Sequence, residues 1–134
     1  MMSDMAFEVE MDAPYSEAMK RVVEALKEQG FGVLTQIDVH TTLHEKLGVD
    51  FKNYCILGAC NPPLAHKALS NRPDAGLMLP CNVIVEEIDS GTLVRIVDPD
   101  AMMKAGGLAG DPVMEEVGGE AGHRLKLVAE ALKN

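Results

Sequence analysis

The chain has 134 residues, which suits one domain, and an apolar fraction of 47%, enough to build a hydrophobic core and to argue against disorder. Its formal net charge is −9, with no run of Lys or Arg, so we expect no nucleic-acid partner. No apolar run reaches the ~20 residues that cross a bilayer, and neither a secretory signal nor a complete disulfide framework is readable. We therefore expect a cytoplasmic protein with reduced cysteines and no membrane partner.

The first half of the chain alternates strand and helix patterns. Residues 1–5 carry no pattern and are predicted to be disordered. Pro14 suits the first turn of a helix and Gly30 suits its end. The pattern predicts a strand at 6–11, a helix at 12–30, a strand at 31–39 and a short helix at 41–48.

The second half contains a predicted hairpin between two helices. Asn61 and Pro62 are an N-cap and a first helical residue, and Asp111 and Pro112 repeat that signature. Glycines at 118, 119 and 122 predict a break or kink in the last helix. The predicted elements are a strand at 53–59, a helix from 61 to 69, strands at 76–88 and 92–98, a Gly-rich connector at 104–111 and a helix at 112–133.

These elements predict the α+β class. We expect a single two-layer domain over residues 1–134, in which a mainly antiparallel sheet of about five strands packs with helices. The expected order is β-α-β-(α)-β-α-β-β-α. The strand order within the sheet does not follow from the sequence.

Two Cys-Asn pairs, Cys60-Asn61 and Cys81-Asn82, are the first candidates for a functional site. Cys60 immediately precedes the predicted N-cap, where free backbone N–H groups and the helix dipole would favour a thiolate. The alternative is that Cys60 is a small buried hydrophobic residue at the end of a strand.

Cys81 and Asn82 raise the same question. Cys81 shares an apolar face with Val83 and Val85, which is typical of a buried thiol, and Pro80 predicts an edge strand or a bulge. Asn82 either contacts a ligand or braces the backbone at such a bulge.

A metal site has weaker support. Cys60 and Cys81 are too far apart in sequence for a C-x₂-C pair, so a site would need ligands from several elements, with His66 as a third candidate. We make no specific cofactor prediction.

The motifs "LGACNP", "A-x-x-AL", "GL-x-LPCN" and "DP" are together similar to those of the domain of unknown function 302 family, over residues 15–103. The resemblance implies a compact two-layer α+β domain that associates as a homodimer, and it implies no activity. It directs attention to Cys60, Asn61, Pro62, Pro80, Cys81 and Asn82. The glycines at 118, 119 and 122 depart from the helical character expected of the family.

Three hypotheses follow. The first is a small ligand- or metal-binding module whose pocket is lined by Cys60, Asn61, Cys81 and Asn82. The second is a thiol-dependent redox or transfer enzyme with Cys60 as its catalytic nucleophile. The third is a purely structural or interaction homodimer, in which the asparagines cap and the thiols pack.

Overall fold

A five-stranded antiparallel sheet packed against helices forms the protein, as seen in a computed structural model that describes residues 2–133. This confirms the α+β prediction, and the strand order is β1-β5-β4-β3-β2. The strands are β1 (Ala6–Met11), β2 (Gly32–Asp38), β3 (Tyr54–Cys60), β4 (Cys81–Ile88) and β5 (Gly91–Val97). The helices are α1 (Tyr15–Glu28), α2 (Val39–Leu47), α3 (Pro62–Asn71), α4 (Pro99–Ala105) and α5 (Pro112–Leu132), with 3-10 segments at Met2–Met5 and Pro73–Met78.

The main core lies between one face of the sheet and helices α1 and α5. Side chains at alternate strand positions enter this core, because successive residues of a strand point to opposite faces. Helix α1 contributes residues at helical spacing, among them Ala18, Val22 and Leu26. A second cluster, between α3, the Pro73–Met78 segment and α5, consists of Ala68, Ala75, Met114 and Val117.

Helix α5 is continuous over 21 residues, so the predicted break at its glycines is wrong. Gly118 and Gly122 are one turn apart and face α4. A Cβ atom at Gly118 would lie 2.7 Å from Met103 Sδ, and one at Gly122 would lie 3.1 Å from Asp98 Oδ1. These two glycines therefore let α4 approach closely, whereas Gly119 faces open space.

Two local predictions also differ from the structure. Residues 76–80 are not part of a strand, because the 3-10 segment runs to Met78 and β4 begins at Cys81. Helix α4 lies where no helix was predicted. Asp98 is in fact an N-cap whose Oδ1 accepts a hydrogen bond from the Asp100 N–H at 3.1 Å.

The predicted disordered segment 1–5 overlaps the 3-10 segment Met2–Met5, whose last carbonyl accepts a hydrogen bond from the Asp98 N–H. Met1 lies outside the described residues, and the prediction for it remains a prediction. The Gly-rich stretch predicted at 104–111 includes the end of α4 and the connection to α5.

Residues 32–53, which we call the exposed segment, contain a strand and a helix but no buried residue. Strand β2 is an edge strand, and α2 has no buried side chain. Leu34 and Leu47 are 69% and 70% exposed. The segment is joined to the rest of the domain chiefly by the β2–β3 ladder and by contacts of α2 with β3.

None of the helices within residues 2–133 combines the length and the apolar character needed to span a membrane.

Candidate functional site

Both Cys-Asn pairs lie at the same end of the sheet. Strands β3 and β4 are adjacent and antiparallel, so the end of β3 meets the start of β4, and Ala59 pairs with Cys81. Strand β5 also ends there, where α4 begins. The antiparallel register thus brings together segments that are about twenty residues apart in sequence.

The cysteines of the two pairs differ in burial. Ala59 and Cys81 are opposite each other and face the helices, where both are buried. Cys60 follows Ala59 as the last residue of the same strand, is partly buried, and also borders the cavity described below. Its cross-strand partner is Gly32, which is exposed and has open space around it.

Asn82, which follows Cys81 in β4, lies on the opposite, outer face of the sheet. It pairs with Gly58 and is exposed, and it does not line the cavity described below. Asn61, by contrast, is buried at the start of α3. The helix-facing side of this end therefore holds Asn61 and Cys81, the outer side holds Asn82, and Cys60 lies at the strand end, where it also borders that cavity.

Gly58 explains how the two motifs fit together. A Cβ atom at Gly58 would lie 2.7 Å from Pro80 Cγ and 2.2 Å from Thr35 Oγ1, both closer than real contacts allow. The glycine of "LGACNP" thus provides room for the proline of "LPCN". The Leu79–Pro80 peptide bond is cis.

The N-terminus of α3 offers few hydrogen-bond donors. Pro62 and Pro63 have no backbone N–H. The Leu64 N–H donates to Asn61 Oδ1 at 3.1 Å, and the Ala65 N–H donates to the Asn61 carbonyl at 2.9 Å. The free backbone donors that the sequence suggested for a Cys60 thiolate are therefore absent from this helix start.

The amide nitrogen of Asn61 remains available. Its Nδ2 atom lies 2.9 Å from the place where Gly30 would carry a Cβ, so Gly30 also provides room for this side chain. Among residues 2–133, Nδ2 has no hydrogen-bond acceptor. Every fully buried side-chain polar atom there has a partner, so Nδ2 is not fully buried. The Nδ2 group is therefore a donor that is open to solvent or to a ligand.

All three cysteines are free, and they differ in their surroundings. Burial and, after it, the charge of Cys60 raise the pKa of Cys81 to about 11, so Cys81 is a neutral thiol at physiological pH. Burial and the charge of Asp38 raise the pKa of Cys55. Cys60 follows Ala59, the cross-strand partner of Cys81, so the two cysteines are near each other in the sheet.

A small apolar cavity of about 40 Å³ lies on the helix-facing side, between the main core and the second cluster. Cys60, Asn61 and Cys81 border it, at the ends of β3 and β4. The sequence did not single out the methionines in its walls, although nine methionines in 134 residues were a possible signal. These methionines are Met78, Met102, Met103 and Met114.

The structure places His66 away from this cavity, on the exposed side of α3. Within residues 2–133, no group of three or more His, Cys, Asp or Glu side chains is arranged to hold a metal ion. Cys60 and Cys81 are thus brought close to each other, but the third metal candidate is not.

A separate charged cluster lies on the outer face of the sheet. Glu86 is buried there and accepts hydrogen bonds from Lys52 Nζ and, at 2.6 Å, from Arg95. Arg95 also donates to Glu8 at 2.8 Å. Hydrogen bonds from Lys52 and Arg95, and their positive charges, lower the pKa of Glu86, which is therefore ionised and paired at neutral pH.

Comparisons with known proteins agree with this geometry. A family model described as "Domain of unknown function DUF302" matches residues 7–132. A crystal structure of an uncharacterized conserved protein DUF302 from Bacillus stearothermophilus is similar to the chain, with a TM-score of 0.84 and 30% sequence identity. That similarity covers 96% of this chain and 98% of the other. No curated protein matches this chain.

Proposed function

The chain belongs to the DUF302 family, and we propose that it is a cytoplasmic module that binds a small ligand in the cavity bordered by Cys60, Asn61 and Cys81. The observation that carries the proposal is the register of Ala59 with Cys81, which places both motifs of this chain at one cavity. The three free cysteines favour a reducing compartment.

The roles of the four motif residues differ in this proposal. Asn61 is the polar contact, because Oδ1 caps α3 while Nδ2 is free to donate. Cys81 is a neutral wall residue of the cavity. Cys60 borders the cavity from the strand end, and Asn82 braces the outer face beside Gly58 and Pro80.

A screen that reads the cavity directly tests this function. Protein labelled with ¹³C in the methionine methyl groups would be titrated with fragments of several classes, including alcohols, thiols, carboxylates, Cu(I) and Zn²⁺. We expect at least one class to give saturable shifts at Met78, Met102, Met103 or Met114, while Met19, outside the cavity, does not respond. The absence of any saturable response at the four cavity methionines would refute the proposal.

The thiol-enzyme alternative has less support in this geometry. A nucleophilic Cys60 needs an adjacent base or a set of donors. The first turn of α3 supplies no free N–H donor, because its first two residues are prolines and Asn61 satisfies the next two N–H groups. No histidine lies among the residues that border the cavity.

A second candidate function is self-association, and the exposed segment favours it. None of the 22 residues in this segment is buried, so its strand and helix have little packing to hold them in place. Strand β2 is also at the edge of the sheet, where its outer backbone groups can pair with another strand. The opposite edge, β1, carries Glu8 and Glu10, which discourage pairing. We propose that a second copy of the chain covers residues 32–53.

Charge does not oppose contact between two copies at this surface. Asp38, Glu45 and Asp50 against Lys46 and Lys52 give these 22 residues a charge of −3 + 2 = −1, so they carry one of the nine net negative charges of the chain. The apolar side chains exposed there include Leu34, Ile37, Leu47, Val49 and Phe51.

Light scattering coupled to size exclusion tests the dimer. We expect the natural chain to elute as a dimer and Leu34→Asp to elute as a folded monomer, because a buried unpaired carboxylate is costly. Leu77→Asp is the matched control, since Leu77 is 90% exposed and outside the segment, and it should leave the dimer intact. A natural chain that is monomeric, or a Leu34→Asp variant that stays dimeric, would contradict this interface.

A further inference from the structure

The cavity walls are almost entirely apolar, and Asn61 is the one residue with a polar side chain other than a thiol that borders it within the described chain. A charged or strongly polar ligand would lose its hydration there without gaining enough partners. Within residues 2–133, no group of three or more His, Cys, Asp or Glu side chains is arranged to hold a metal ion there. The lining therefore favours a ligand whose buried part is a hydrocarbon.

The size of the cavity favours a narrow hydrocarbon over a ring. A volume of about 40 Å³ accommodates the end of an alkyl chain. An engineered apolar cavity that holds benzene is much larger, about 150 Å³. Small side chains such as Ala65, Ala68 and Ala121 leave this space open between β3, α3 and α5.

The walls can also adapt to a longer chain. Met78, Met102 and Met103 are only partly buried and come from the 3-10 segment and from α4, two short elements. Methionine side chains are unbranched and polarisable, so they change shape at small cost and are common on surfaces that accept varied apolar ligands. Leu77, next to Met78 in the chain, adds an exposed apolar residue.

One polar contact completes the site. Asn61 is a lining residue of the cavity, and its Nδ2, which makes no hydrogen bond within residues 2–133, can donate one to an oxygen at the end of the alkyl chain. A few polar groups on an otherwise apolar wall are typical of small-molecule sites, where they set the orientation of the ligand.

We infer that the ligand of this module has an unbranched alkyl or acyl chain that enters the cavity between the methionines and an oxygen that accepts from Asn61. This inference rests on the proposed binding function. It assigns to the cavity a chemical class of ligand and to Asn61 the role of a specificity-determining residue.

A series of straight-chain 1-alkanols, from butanol to decanol, tests the inference by titration of ¹³C-methionine-labelled protein. We expect saturable shifts at the four cavity methionines and an affinity that rises about fourfold per methylene. The rise should stop once the cavity is full. Branched alcohols of equal carbon number should bind more weakly. No saturable shift, or equal affinity along the series, would overturn the inference.

Three variants sharpen this test. Ala65→Leu fills the cavity and should lower the affinity for octanol at least tenfold, whereas Ala131→Leu, on the exposed side of α5, should not change it. Met103→Ala enlarges the cavity and should instead move the length limit to longer alcohols. An unchanged affinity in Ala65→Leu, or an unchanged limit in Met103→Ala, would place the alkanols elsewhere and overturn the inference.

The outcome also separates the two proposals. A response of the cavity methionines to Cu(I), thiols or carboxylates, without a response to alkanols, would preserve the binding function and overturn the alkyl ligand. The absence of a response to every probe would remove both.

Discussion

The cavity end of the sheet and the exposed segment differ in how well their side chains are packed. At the cavity end, Gly58 fits Pro80, Gly118 fits Met103 and Asn61 caps α3, so the chain packs against itself and leaves only a small space. In residues 32–53 most apolar side chains have no such partners, apart from Val33, which packs against the main core, and Phe51, whose ring contacts Tyr54. This difference underlies the two proposals, namely a small ligand in the cavity and a second copy of the chain over residues 32–53.

A large loss of stability is expected from Gly58→Ala. Its Cβ would clash with Pro80 and Thr35, and overpacking of this kind costs about 1–3 kcal/mol of unfolding free energy. Gly32→Ala, at an open position of the exposed segment, is the control and should change stability by less than ~0.5 kcal/mol. Urea denaturation measures both. Equal losses would mean that the two regions are equally covered in solution.

The accessibility of Cys60 and that of Cys81 to an alkylating reagent should also differ strongly in the native protein. Cys60 is only partly buried and lies opposite the exposed Gly32, whereas Cys81 is buried and its pKa of about 11 keeps it protonated. In the native protein we expect Cys60 to be alkylated on the order of 100-fold faster than Cys81 at neutral pH. Mass spectrometry measures the alkylation rate of each cysteine, and the rates in urea-unfolded protein are the reference. Comparable native rates would show that the cavity end opens readily.

Glu86→Gln tests the ion pair that joins the sheet to the exposed segment, because Lys52, which donates to Glu86, belongs to that segment. Loss of the charged hydrogen bonds to Lys52 and Arg95 should cost about 1.5–3 kcal/mol at neutral pH. The folded pKa of Glu86 is lowered, so its stabilisation is complete above the unfolded pKa of about 4.3 and is lost as the pH falls through the lower folded pKa.

Urea denaturation as a function of pH measures this contribution. The difference between the natural chain and Glu86→Gln should shrink below pH ~4. Exposed Glu87 is the matched control, and Glu87→Gln should have little effect at any pH. A difference between Glu86→Gln and the natural chain that does not depend on pH would argue against the paired carboxylate.

The smallest effect is expected in α5. Gly119 faces open space, so Gly119→Ala should raise the unfolding free energy by about 1 kcal/mol. In Gly118→Ala the same helical gain is opposed by displacement of Met103, so its stability should be clearly lower than that of Gly119→Ala. Thermal unfolding compares the two. Equal stabilisation would mean that the contact between α4 and α5 is loose.

Several elements were readable from residues alone. The Asn61-Pro62 and Asp111-Pro112 signatures predicted the starts of α3 and α5 correctly, and the alternating patterns of β1 and β5 predicted strands. The Asp98-Pro99 signature at the start of α4 is of the same kind, yet no helix was predicted there. The apolar alternation at 76–80 suggested a strand, although those residues precede β4.

The candidate site was only partly predictable. Cys60, Asn61 and Cys81 were named from the sequence, but the methionine walls and the position of Asn82 on the other face were not. A residue's face depends on strand register, and a methionine's neighbours depend on which helices approach it. Neither quantity is encoded within a short stretch of chain.

The sequence by itself determined the local features, namely the helix caps, the strand patterns, the acidic charge and the two Cys-Asn pairs. Those features depend on interactions between residues a few positions apart. Only the tertiary structure decided that β3 and β4 are antiparallel neighbours, that Gly118 and Gly122 join two helices instead of breaking one, and that residues 32–53 are left uncovered. These outcomes depend on packing between segments that are distant in sequence, because the surfaces of two such segments must have complementary shapes to pack.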